Sequence, residues 1–145
     1  MAGQRKLSTI ARVIGFMEIW ELLDSAYLGI NKNQVYVNGR KIEGRFKYNE
    51  IISLFSADLE VFKDILKVYP QKTYKVSGGH KLTYTSRKAS EILRKFLPNL
   101  KRNKERAEII LKLTKDKSLS KTHAPFERMK RREAIKKELE KQVKE

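Results

Sequence analysis

The stretch KLTYTSRKASEILRKFLPNLKRNKERAEIILKL, Lys81 to Leu113, decides the fold. It reads as a short strand, a helix stopped at Leu97-Pro98, and a second helix begun by basic residues. The stop has a steric cause: proline has no backbone N–H to donate and disfavours helical geometry in the residue before it.

Working outward, Lys72-Thr73-Tyr74-Lys75-Val76 and Lys81-Leu82-Thr83-Tyr84-Thr85 form a predicted hairpin around Ser77-Gly78-Gly79-His80. Before it, Ile52-Ser53-Leu54-Phe55 reads as the end of a strand that enters a helix capped by Ser56 and closed by Pro70. That strand should occupy much of 44–55, with Arg45 and Lys47 on one face and Phe46 and Tyr48 on the other. Gln34-Val35-Tyr36-Val37 alternates as the preceding strand and runs into Asn38-Gly39, a pair that tolerates the positive φ angles of a tight turn. Gly29 to Asn33 then reads as a break after an N-terminal helix. Ser8 or Thr9 is its predicted N-cap, and Ile10, Val13, Ile14 and Met17 fall at helical spacing toward Leu28. The order is αββαββα: an α+β domain with a four-stranded antiparallel or mixed sheet and helices on one face.

At 145 residues the chain fits one compact domain. Its 33 Lys plus Arg against 17 Asp plus Glu leave a formal charge of +16, so self-repulsion opposes compaction unless a polyanion compensates. A merely solvated Lys/Glu surface would be near balance. Nucleic acid is the expected partner. There is no cysteine, which excludes disulfides, thiolate zinc sites and a cysteine nucleophile. The two histidines, His80 and His123, are far apart and lack acidic partners at ligand spacing, so no metal site and no cofactor are expected. Ser77-Gly78-Gly79 lacks the GK[ST] ending of a phosphate loop and reads as a turn, and no GxSxG elbow occurs. No apolar run reaches the roughly 18 residues of a membrane span, and MAGQRKLST lacks a signal peptide's apolar core. An intracellular, cytoplasmic or nucleoid-associated protein without membrane contact is the expectation.

The open sheet face should present Arg40, Lys41, Arg45, Lys47, Lys72, Lys75 and Lys81, with Thr83, Thr85 and Tyr36 or Tyr74 as hydrogen-bonding or stacking company. Such a surface suits the major groove, where Arg and Lys reach guanine edges and phosphates.

From Ile52 through Leu66, and again from Lys81 through Leu113, the order of strand, helix, strand, helix, Leu-Pro break and Lys/Glu/Arg/Ala/Glu helix start resembles a repeat of the LAGLIDADG homing endonucleases. The resemblance covers roughly 34–113. It implies the sheet fold above, DNA binding, and pairing of two repeats through the N-terminal helix, hence a possible homodimer. It also implies an acidic residue at the end of that helix, just before the first strand, to hold a divalent cation beside the scissile phosphate. With 35–37 as the first strand, Lys32 falls at the acid position. The basic residue expected five positions after the proline would be Asn103. A second register would place the chemistry on Glu18, Glu21 or Asp24.

From about Asp116 the composition shifts. Residues 117–125 look like a linker, and FERMKRREAIKKELEKQVKE from Phe126 has a narrow apolar stripe and the clustered cations Arg128, Lys130, Arg131 and Arg132. The predicted division is a nucleic-acid-binding domain over 1–115 and a basic helical arm over 116–145 that orders on its partner, with a solvated charged helix as the competing reading; only if truncation unfolds the domain is the arm a core element packed through Phe126, Met129, Ile135 and Leu139. The expected function is binding of duplex DNA in preference to RNA, without cleavage. Two alternatives stand beside it: RNA binding, in the manner of an intron maturase or a ribosome-associated protein, and an active magnesium-dependent endonuclease.

Overall fold

The computed structural model describes residues 19–119 and 125–143. Residues 19–25 are helical (α1). Strands β1 (Tyr27–Val37) and β2 (Arg40–Ser56) follow, then a 3-10 turn (Leu59–Phe62) leading into α2 (Lys63–Val68). Next come β3 (Thr73–Val76), β4 (Gly79–Thr85), α3 (Ser86–Phe96), α4 (Lys104–Leu119) and α5 (Pro125–Val143). The sheet order is β1-β2-β4-β3 and every pairing is antiparallel.

Period-two alternation separates the two faces. Leu28 and Ile30 of β1, Tyr48, Ile52 and Leu54 of β2, and Leu82 and Tyr84 of β4 are buried beneath the helices. Ala89, Ile92, Leu93 and Phe96 of α3 and Ala107, Ile110 and Leu113 of α4 recur at three- and four-residue spacing and close over them. Ile19 and Leu23 of α1 and Phe62 and Ile65 of the middle segment complete the core. Fully burying side chains of this size stabilises by roughly 1.5–3 kcal/mol each before entropy is subtracted. The described helices lie on one side, as expected, and leave the opposite sheet face uncovered.

The Asn38-Gly39 turn has φ of 51° and 78°, the left-handed pair that lets a two-residue hairpin follow the strand twist. Farther along, the β1–β2 ladder slips: Gln34 pairs with Phe46 but Tyr36 pairs with Lys41, so β2 holds extra residues there. Gly44, at φ 73°, sits in this bulge. The Gln34 side-chain amide donates to the carbonyls of Ile42 and Arg45, which satisfies groups the broken ladder leaves without strand partners.

Three sequence expectations shift. The middle helix is shorter than expected: Asp58 caps the 3-10 turn by accepting from the Glu60 N–H, and the Ser56 hydroxyl accepts from the Asp58 N–H. More consequentially, β1 begins at Tyr27, seven residues before the expected strand, so Gly29 to Asn33 is strand and not a break. Strand β1 pairs along its length with β2, and that ladder, not the local glycine and asparagines, fixes the segment. The predicted helix start at Ser8 or Thr9 and the face expected to pair two chains lie on or extend into residues outside those described.

The third shift concerns the C-terminal segment. Helix α4 continues to Leu119, past the expected boundary, and α5 packs on α4 and on the β1–β2 edge. Leu139 is 3% exposed, and Met129 and Ile135 pack against the core. The stripe that looked too narrow to demand burial suffices because α4 and the sheet edge supply the opposing surface. Buried Glu50 of β2 anchors the same layer, accepting from Thr114 and Lys117 of α4.

Candidate nucleic-acid interface

The β1–β2 register puts Asn33 opposite Lys47 and Asn31 opposite Asn49 on the open face. The β2–β4 register adds Ser53 opposite Thr83 and Phe55 opposite Lys81, and the β3–β4 register places Tyr74 beside Lys81. Lys47 and Lys81 therefore occupy the open face as expected, and Lys72 joins them, its ammonium 5.8 Å from the Tyr74 ring. Arg45 emerges from the bulge, exposed next to Lys47. Arg40 and Lys41 sit at the hairpin end opposite Val37 and Tyr36, and Lys41 makes an exposed ion pair with Glu43 at 3.7 Å. Such an exposed pair is worth little.

Lys75 departs from expectation. It pairs with His80, one residue out of phase with Tyr74 and Lys81, so strand alternation turns it to the helical side. The arm cations depart further. Arg131 and Arg132 both bond Asp116 of α4, at 2.8 Å and 3.1 Å. Burial pushes the Asp116 carboxyl up, but the two guanidiniums outweigh it and hold the group below its ordinary range. These arginines staple α5 to the domain. Lys130 lines a 420 Å³ cleft between α5 and the sheet edge, and Arg128 is half-buried on the same helix.

Lys32 lies on the helix-side face of mid-β1, opposite Tyr48 and far from the strand entry. Its ammonium is 4.5 Å from the Phe46 ring centre and 3.0 Å from Glu133 of α5. The Tyr48 hydroxyl also donates to Glu133 at 2.5 Å. That hydrogen bond, with Lys32 in support, holds the Glu133 carboxyl below its usual range against the effect of burial. Lys32 is thus part of the α5 dock.

With β1 starting at Tyr27, the residue just before the first strand is Ala26. Asp24 is nearby, and its Oδ1 accepts the backbone N–H groups of Lys101 and Asn103 at 3.0 Å each. Burial raises its carboxyl, but the backbone N–H groups of Asn103, Lys101 and Arg102 and the Arg102 charge prevail and lower it. Asn103, 8% exposed, donates its side-chain amide to the carbonyls of Leu23 at 2.8 Å and Ala26 at 3.0 Å. Arg106 reaches the Leu28 carbonyl. Glu21 lines a separate cleft with Asp58 and Glu60, and Glu18 lies outside the described residues. A divalent cation needs several oxygen ligands, and at this junction one of the two Asp24 carboxylate oxygens is already taken by two backbone donors. No group of three His, Asp or Glu side chains able to hold a metal occurs among the described residues.

No protein-family model matches this sequence, and no curated protein matches it. The fold does have a counterpart among solved structures. The homing endonuclease I-CvuI, crystallised in complex with its target in the presence of 2 mM Ca, matches with a TM-score of 0.65 at 15% identity, over 86% of this chain and 80% of that one. The chain therefore carries a homing-endonuclease-like α+β fold. Among the described residues, no helix is long and apolar enough to cross a membrane.

The junction at which Asp24 accepts the Asn103 N–H and the Asn103 amide donates to the Leu23 and Ala26 carbonyls is not legible from sequence spacing alone. The signal was present: Asp24 lies three residues before the true strand start, and Asn103 opens the helix after the Leu-Pro break, but a correct strand boundary was needed to read it.

Proposed function

We propose that this protein binds duplex DNA through the open face of its sheet and does not cut it. The observation that carries the reading is the β1–β2 ribbon: Lys47 on its open face, Arg45 at its bulge and Arg40 and Lys41 at its end, backed by a chain of +16 charge. A two-stranded ribbon enters the wide major groove of B-form DNA, whereas the deep, narrow major groove of A-form RNA does not admit side chains. Asn31, Asn33 and Asn49 add neutral donors and acceptors between the cations, the mixture needed for base edges as well as phosphates.

The non-cleaving half of the reading is supported by Ala26 at the strand entry and by Asp24 and Asn103 being engaged in capping. The endonuclease whose fold this chain shares was crystallised in complex with its target, which supports reading a nucleic-acid partner here. Titrating a labelled duplex by fluorescence anisotropy at several salt concentrations, then incubating supercoiled plasmid with magnesium, tests both halves. Salt-dependent binding without nicks is expected. Specific nicking that Asp24→Asn or Glu21→Gln abolishes would make the protein an enzyme, and tighter binding to duplex RNA than to DNA would reverse the partner.

A further inference from the structure

The far end of the open face differs chemically from the ribbon. Phe55, Lys81 and Tyr74 are directly opposite one another on β2, β4 and β3, so they form one row across three strands. Both rings are exposed, Phe55 by 61% and Tyr74 by 55%. Single exposed aromatics are ordinary on protein surfaces. Here two rings flank a lysine in register, with a second lysine, Lys72, 5.8 Å from the Tyr74 ring, on a face that none of the described helices covers. Aromatic faces alternating with phosphate-reaching cations are the requirement for stacking unpaired bases along a charged strand. A paired base buried in a duplex offers no such face.

Resting on the reading of this face as the DNA surface, we propose that the Phe55–Lys81–Tyr74 row binds unpaired bases of DNA, so that the preferred ligand is a duplex with a single-stranded extension. Phe55 and Tyr74 are two strand spacings apart, roughly 10 Å, which suits neighbouring bases of one strand with Lys81 reaching the phosphate between them. Lys47 and Phe55 are both on β2. Along a strand at about 3.3 Å per residue they are separated by roughly 26 Å, close to the rise of eight base pairs. The ribbon would hold the duplex and the row would receive the strand that leaves it. Thr83, opposite Ser53, lies between the two zones and offers a hydroxyl there.

The test compares a blunt duplex, the same duplex with a single-stranded overhang carrying 2-aminopurine, and an RNA hairpin with an unpaired loop. The wild-type chain should bind the overhang duplex about tenfold more tightly than the blunt one and change the 2-aminopurine fluorescence. Phe55→Ala with Tyr74→Ala should remove that preference and that change while altering blunt-duplex affinity less than about twofold. Both side chains are exposed, so folding should be unaffected, and Phe55→Trp, which keeps a ring, should preserve the preference. Equal affinity for blunt and overhang duplexes, or a preference that survives the double substitution, overturns the proposal while leaving duplex binding intact. Tighter binding of the RNA hairpin overturns the choice of DNA. Failure to bind any of the three overturns the underlying reading itself.

Discussion

Asp24 and Asn103 cap each other's helix: the Asp24 carboxylate accepts the N–H of Asn103 at 3.0 Å, and the Asn103 amide donates to the carbonyl of Leu23 at 2.8 Å. The exchange serves the orphan carbonyls at the end of α1 and the orphan N–H groups entering α4, two sets that have no intrahelical partners.

Replacing Asn103 with Ala removes the side-chain donor from the Ala26 carbonyl and leaves the Leu23 carbonyl with only the Ala26 N–H, at 3.3 Å. The expected cost is about 1–3 kcal/mol, and Asp24→Ala should cost a similar amount. In a double-mutant cycle the two losses should fall short of additive, because each substitution disturbs the same junction. Thermal or urea melts measure this, and strictly additive losses would contradict mutual capping.

Acid stability follows from three carboxyls held below their ordinary range: Asp24, Asp116 and Glu133. A group depressed in the folded state contributes stability above its unfolded pKa, near 4, and loses it as pH falls through the lower folded value. The melting temperature should therefore hold through neutral pH and decline steeply below about pH 4. Asp24→Asn and Asp116→Asn should each be less stable than wild type at pH 7 and converge on it in acid. Curves that stay parallel down to pH 2 would count against this assignment.

Helix α5 should be a structural member. Leu139→Ala removes a buried side chain and should cost about 2–4 kcal/mol. Truncation before Pro125 uncovers the Leu139 site and leaves Lys32, Tyr48 and Asp116 without Glu133, Arg131 and Arg132, so it should lower the melting temperature by well over 5 °C. A truncated chain that melts like the full one would show that α5 docks without contributing stability.

The cations should divide by location. Arg45→Ala and Lys47→Ala should each flatten the salt dependence of DNA binding, by roughly 0.9 log unit of slope for every phosphate that is no longer neutralised. Lys75→Ala, on the helical side, should leave the slope unchanged. Arg131→Ala and Arg132→Ala should appear in stability instead. Equal slopes for Lys47→Ala and Lys75→Ala would remove the distinction between the faces.

Gly79→Ala tests a close approach. A Cβ at this position would lie 2.4 Å from the Ser56 carbonyl oxygen and 2.9 Å from the Ala57 Cα, both backbone atoms. Overpacking of this kind typically costs 1–3 kcal/mol. Gly78, at φ 83° with nothing within 4 Å of a Cβ, should instead show only the backbone strain of a left-handed turn. Circular dichroism melts of the two variants separate the effects.

The sequence alone determined what depends on local chemistry. Asn38-Gly39 specified a left-handed turn, Leu97-Pro98 ended a helix, the alternation of Arg45, Phe46, Lys47 and Tyr48 assigned two faces, and the charge balance pointed to a polyanion. Everything requiring a partner distant in sequence was decided by the tertiary structure. Gly29 to Asn33 looks like a break until β2 pairs with it, and that pairing moved the strand entry from Lys32 to Ala26. Arg131 and Arg132 look like a solvated basic cluster until Asp116 of α4 lies beside them, and the α5 stripe looks too narrow until α4 and the sheet edge meet it. Gly79 reads as turn flexibility, yet its tightest constraint is the Ser56 backbone. Turn geometry and face alternation are fixed by neighbours along the chain, whereas burial, ion pairing and strand limits depend on which surfaces folding brings together.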